Sequence, residues 1–155
     1  MEHRVRAAAI LVQDRSILLV KHVDPHTGEV WWIPPGGGLL AYERSVVDCA
    51  VREVFEETGL HVSLGRLIYL RDFIENSAAV HHVELFFLAD AFTGELTIAN
   101  VAGSGPDEDF IQELKWLGED ELHGIFVWPD HLFDGFWGDL AAGFPQVRYL
   151  GVQEG

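Results

Sequence analysis

Cations are scarce in this chain. Ten Lys and Arg stand against 25 Asp and Glu among 155 residues, a formal net charge of −15 with neutral histidine. Non-specific binding to a nucleic-acid polymer needs cations that neutralise successive phosphates. An anionic membrane surface needs them as well, so neither partner is expected. A small anionic substrate would also be repelled, unless a bound cation inverts the local field. Cysteine is nearly absent: Cys49 stands alone, which excludes a disulfide framework and a cysteine-built zinc site. Long apolar runs are missing too. Only six consecutive apolar residues, 7–12, precede Gln13, too few for a signal-peptide core. No stretch approaches the ~18 residues of a transmembrane helix. The expectation is a soluble, cytoplasmic protein. Internal repeats, linkers and low-complexity tracts are likewise absent.

Apolar residues, in contrast, are plentiful. They make up 48% of the chain, with ten Phe, five Trp and three Tyr, enough for a packed core. The length predicts a single domain over 1–155. Residues 4–12 and 16–23 read as two strands around a turn at Gln13–Arg15, and 30–33 as a short strand halted by Pro34 and Pro35. The PPGGG run at 34–38 is expected to lack regular structure. Residues 61–75 and 80–92 read as long antiparallel strands, 110–117 as another, and 147–151 as a brief tail strand. Residues 92–96 form a turn, 100–109 the most loop-like segment, and GEDEL, from Gly118, a short helix or turn. An amphipathic helix is expected over 128–144, its Trp128, Phe133, Phe136 and Trp137 packing on the sheet and leaving a remainder for a homodimer contact.

The strongest helix reading covers 44–58 and ends at Gly59. On a wheel centred on Glu53, Val47, Val51, Val54 and Phe55 fall between about 100° and 200°, and Glu53, Glu56 and Glu57 between about −60° and +40°. Like charges at i, i+4 repel, so this acidic face asks for compensation. Hard divalent cations take oxygen ligands from a few carboxylates plus phosphates and waters. Glu53, Glu56 and Glu57 therefore suggest a preformed cation site. Gly36, Gly37 and Gly38 upstream let bare backbone approach it, and Arg52, at i, i+4 from Glu56, can hold a carboxylate in place. An acidic helix face alone is more often a solvated surface; the glycine loop and the spacing together are the specific signal.

Residues 36–60, GGGLLAYERSVVDCAVREVFEETGL, resemble the box of the Nudix hydrolase superfamily. Gly38, Arg52, Glu53, Val54, Glu56, Glu57, Gly59 and Leu60 match it. The entry Trp32-Ile33-Pro34-Pro35-Gly36 and the later ELKWL at 113–117 are similar to the family as well. One position departs: strict spacing puts Arg44 where the family has its first, supporting glutamate, and Glu43 sits one residue early. The resemblance implies an α/β/α sandwich with a mixed sheet between helices. It implies hydrolysis of a nucleoside diphosphate linked to another group. Mg²⁺, or Mn²⁺, would bind at Glu53, Glu56 and Glu57, helped by a backbone carbonyl of Gly37 or Gly38. Glu53 is the first choice for the general base and Glu113, Glu108 or Asp109 the second. Arg44 motivates an alternative, a nucleotide-sensing or partner-binding module with little turnover.

Other chemistry-bearing residues read as structural. His81 and His82 are adjacent in a strand and face opposite sides. Cys49 reads as a small core residue, and Trp31, Trp32 and Phe73 as core aromatics that a base could also stack on. Downstream of the box, Glu75-Asn76-Ser77 holds no proline and Tyr69 comes too early to mark a known substrate subgroup. The expected substrate is a nucleoside triphosphate or a small nucleoside diphosphate derivative.

Overall fold

The computed structural model describes residues Met1–Gly155. In chain order the elements are β1 (Glu2–Ile10), β2 (Val12–Gln13), β3 (Ser16–Val23), β4 (Val30–Ile33), β5 (Gly36–Gly38), α1 (Val46–Thr58), β6 (His61–Glu75), β7 (Val80–Thr93), β8 (Ile111–Gly118), α2 (Glu119–Leu122), α3 (His131–Asp134), α4 (Phe136–Ala142) and β9 (Arg148–Glu154). A five-stranded mixed sheet runs β5-β1-β7-β6-β9. Within it, β1–β7 and β6–β9 are parallel, while β1–β5 and β6–β7 are antiparallel. A second sheet runs β2-β3-β4, with β8 along the other edge of β3.

Alternation along β1 and β7 separates the two faces of the five-stranded sheet. Ala7, Ala9 and Phe87 face α1 and pack among Cys49, Ala50 and Val54. Ala8, Ile10, Tyr69 and Phe86 face the other way, against Leu122, Leu132, Phe136, Trp137 and Phe144. Helices thus cover both faces, as the α/β/α expectation requires. Ile17, Leu19 and Leu117 of the second sheet close the same cluster. No helix is long and apolar enough to cross a membrane.

Three segments differ from their sequence readings. The glycine run is not irregular: Gly36–Gly38 forms strand β5, with Arg6 opposite Gly38 and Ala8 opposite Gly36. Backbone polar groups at a sheet edge gain partners this way, and the missing side chains permit the contact. A Cβ on Gly36 would lie 2.5 Å from that of Ala8. Helix α1 starts at Val46 rather than 44, because the Ser45 hydroxyl accepts the Asp48 N–H at 3.0 Å and caps the first turn. The long final helix is instead two short ones, α3 and α4, meeting at Gly135. His131 folds back over that glycine, where a Cβ would come within 2.1 Å of its ring. Phe136 and Trp137 are buried, and Trp128 and Phe133 are half-buried. The aromatic remainder expected there for a second copy is correspondingly small.

Candidate active site

Helix α1 ends at Gly59, whose left-handed backbone (φ 77°) returns its N–H to the Phe55 carbonyl. Its polar face runs along the free edge of β5, and side chains of the helix bind that edge directly. Gly36 N donates to a Glu57 carboxylate oxygen at 2.7 Å, Arg52 Nη2 to the Gly38 carbonyl at 3.0 Å, and Cys49 Sγ to the Gly37 carbonyl at 3.4 Å. At position 37 the backbone lies directly against the Glu53 carboxyl: a Cβ there would come within 2.4 Å of it and push that side chain aside. The glycine run is where backbone and carboxylate can meet.

Arg52 is the hub. Its Nε and Nη2 grip both oxygens of Glu43, at 3.0 and 2.9 Å, while Nη1 donates to Glu53 at 2.9 Å and to Glu56 at 3.0 Å. Glu43 also accepts the Leu40 N–H at 2.9 Å. Glu43, and not the exposed Arg44, therefore makes the supporting contact that the strict spacing assigned to position 44. The loop absorbs one residue between Gly38 and α1 and returns the carboxylate to the same arginine.

The environments of the carboxylates diverge. The hydrogen bonds from Arg52 hold Glu43 below the usual carboxylate range, against the effect of burial. Burial pushes Glu53 above it, helped by the charge of Glu56 and opposed by Arg52. Burial also raises Glu57, well above the ordinary value, and the charge of Glu53 adds to this. The Gly36 N–H and the more distant Arg6 pull the other way. Arg52 pairs with Glu43, Glu53 and Glu56 but not with Glu57.

No three Asp, Glu, His or Cys side chains converge closely enough to hold an ion between them. Arg52 supplies part of the compensation for the acidic face, and it draws Glu53 and Glu56 to one nitrogen. The donor set still fits a hard divalent cation. Its members are carboxylate oxygens, formal negative charge exceeds the single guanidinium, and Glu57 is a buried acid with no cation in contact. Glu53, Glu56 and Glu57, with the carbonyls of Gly37 or Gly38, are the groups that could hold one.

The other candidates lie elsewhere. Glu113 is half-exposed on β8 and lies 3.8 Å from Lys21. Glu108 accepts the Gly103 N–H and closes its own loop, and Asp109 is exposed. His81 meets Asp72 at 2.6 Å, and buried His82 meets Glu75 at 3.2 Å and stacks on Phe73, 5.8 Å between ring centroids. Trp32 is buried, and Trp31 stacks on His22. Cys49 is buried, which pushes its thiol up to about 11.

Sequence reading passed over Asp107, whose charge reaches His22, Arg6 and Glu57. Nothing in the 107–109 run of acids says which one turns inward. It also passed over Arg6, Glu84 and Arg71 of β1, β7 and β6; a charge at an inward-facing strand position was the available signal.

Comparison with known proteins places the whole arrangement in context. A family model described as the NUDIX domain matches residues 2–136. A Bacillus subtilis protein described as an uncharacterized Nudix hydrolase is 29% identical over 142 residues, covering 81% of this chain and 86% of that one. A Vibrio parahaemolyticus NAD-capped RNA hydrolase is 30% identical over 110 residues, covering 71% of this chain but only 36% of its own length. Among solved structures, a MutT NUDIX hydrolase from Burkholderia pseudomallei is 31% identical, with a TM-score of 0.63 over 78% of this chain and 87% of that one.

Proposed function

The chain belongs to the Nudix hydrolase family, and from that premise we propose that it hydrolyses the diphosphate of a nucleoside triphosphate or a small nucleoside diphosphate derivative, with Mg²⁺ or Mn²⁺ as cofactor. The reading is carried by one observation: Arg52 binds Glu43, Glu53 and Glu56 at once, beside a buried Glu57 held by the Gly36 N–H. A divalent cation held by Glu53, Glu56 and Glu57 would neutralise the diphosphate and make water a better nucleophile near neutral pH. Glu53 would accept the proton of the attacking water; its raised basicity, from burial, and the contact from Arg52 support that role. Glu43 holds Arg52 in place, and the open space where Gly38 lacks a side chain leaves room for phosphate oxygens. The anhydride P–O bond breaks, and the departing phosphate carries away the displaced oxygen.

The Vibrio relative named for capped RNA keeps a dinucleotide-capped oligonucleotide within the substrate range to be tried, although a charge of −15 weighs against a polymer. The test is a panel of nucleoside triphosphates, nucleoside diphosphate sugars, dinucleoside polyphosphates and a capped oligonucleotide, each with Mg²⁺, with Mn²⁺ and with chelator. Cation-dependent cleavage of at least one compound is expected, read as phosphate or pyrophosphate from a triphosphate and as a mononucleotide or other phosphorylated fragment from the rest. Failure on every compound at micromolar enzyme would refute the hydrolytic reading. Tight nucleotide binding without turnover would favour a sensing module.

A further inference from the structure

On the sheet face turned away from α1, Arg6 of β1, Glu84 of β7 and Arg71 of β6 stand in one row. The ladder pairs Arg6 with Glu84 and Glu84 with Arg71. One carboxylate serves two guanidiniums: Glu84 accepts from Arg71 Nε at 2.7 Å, and its other oxygen lies 3.4 Å from Arg6 Nε. Replacing a buried ionic triad by apolar residues of similar volume is often neutral or stabilising. Stability alone therefore does not account for two arginines here, in a chain with only ten Lys and Arg.

The two arginines differ in what they have left to offer. Arg71 donates to Glu84 and to the Gln153 side chain, and its guanidinium lies 5.5 and 6.0 Å from the ring centroids of Phe73 and Phe86. Its side chain is 7% exposed. Arg6 makes the single long contact to Glu84 and is 23% exposed. Both arginines line a small cleft of about 30 Å³ with Gly36, Glu84, Phe86 and Trp128, but only Arg6 enters it without a second hydrogen-bond partner. Gly36 is the residue whose N–H holds Glu57 on the opposite side. Burial works against the charge on Arg6, but Glu84, Asp107, Glu57 and Glu53 outweigh it and keep the guanidinium protonated. A cation thus flanks β5 on one side and the carboxylate cluster flanks it on the other.

We propose that Arg6 is a substrate-positioning residue, whose guanidinium binds a phosphate oxygen of the diphosphate from the cleft side of β5, and that Glu84, anchored by Arg71, aims it. The planar fork of a guanidinium suits two phosphate oxygens better than an ammonium does. The proposal rests on the diphosphate reading above, and its test separates the two. Arg6→Gln strands no charge, because Glu84 keeps Arg71 at 2.7 Å, so the fold should survive. Calorimetry with inorganic pyrophosphate is the first readout, and KM and kcat on the best compound of the panel the second.

Arg6→Gln should weaken pyrophosphate binding about tenfold or more, the scale of a hydrogen bond to a charged group. KM should rise in step while kcat stays within about threefold. Arg6→Lys should recover part of the loss, and Glu84→Gln should give a smaller loss that vanishes in the Arg6→Gln background. A pyrophosphate affinity unchanged by Arg6→Gln, a wild-type protein that does not bind millimolar pyrophosphate, or a Glu84→Gln effect that persists without Arg6 overturns the proposal. If no nucleotide is turned over, the hydrolytic reading fails by itself, and the calorimetric comparison still decides the role of Arg6.

Discussion

At the β5 edge three carboxylates crowd one arginine and a fourth lies beside them, whereas around Asp139 three donors crowd one carboxylate. Arg52 contacts Glu43, Glu53 and Glu56, and Glu57 stands beside them with no cation in contact. Asp139 of α4 accepts from the Tyr69 hydroxyl at 2.7 Å and from Arg148 Nη2 at 3.0 Å, and lies 2.7 Å from His131 Nε2. The first cluster carries unmatched charge and raises two of its own acids. The second is saturated: His131, Tyr69 and Arg148 hold Asp139 below its usual value, outweighing the opposing effect of burial. Saturation ties α4, β6 and β9 together; excess leaves acid groups available for the cation and substrate proposed above. Unmatched buried charge is thus the better guide to chemistry in this protein, and matched charge the better guide to architecture.

Substitutions that exchange the two roles would break that contrast. The largest effect is expected for Glu57→Gln, which keeps the acceptor for the Gly36 N–H but removes the acid. Its kcat should fall about 100-fold or more, as for loss of a metal-binding group. Its melting temperature should hold or rise, since an uncompensated buried carboxyl is removed. A large drop in melting temperature with kcat intact would make this cluster structural.

Asp139→Ala should do the reverse. Three donors lose their acceptor, at about 1–3 kcal/mol and roughly 2–4 °C of melting temperature per kcal/mol, while kcat stays within a few-fold. The pH dependence follows from the direction of the shift. Asp139 is harder to protonate in the folded state, so its stabilisation is fully present above about pH 4, the ordinary Asp value. It fades as pH falls through the lower folded value. Denaturant titrations of wild type and Asp139→Asn should therefore converge below about pH 4; a gap as wide at pH 3 as at pH 7 counts against the hub.

The smallest effect separates Glu43 from its neighbour. Glu43→Gln should lower kcat about tenfold by loosening Arg52, and Arg44→Gln should leave it within about twofold. Kinetics with those two sensitivities reversed would restore the strict motif register.

Local pattern carried much of this in advance. The stop at Gly59 and the long β6–β7 pair were legible, because caps and strand alternation are written in neighbouring residues. The buried face of α1 was misread: Val47 and Phe55 are exposed, while Cys49, Ala50 and Glu57 turn inward beside Val54, because the contact with β1 and β5, which the helix pattern does not encode, sets the rotation of the helix. The glycine run was misread because glycine's poor strand propensity hides the pairing that only β1 could provide. The final helix was misread because the apolar spacing continues through Gly135, while the folded-back ring of His131 interrupts it. The motif departure at Arg44 looked like a defect in one dimension, and the chain path before α1 removes it.

Spacing along one helix by itself determined which acids share a face, since residues three and four apart are neighbours on any α-helix. Tertiary structure alone decided what those acids meet beyond their own helix: the edge of β5, Glu43 through the guanidinium of Arg52, and the charge of Arg6 across the strand. These partners come from distant parts of the chain, and strand register brings them together through pairings that no local sequence pattern encodes.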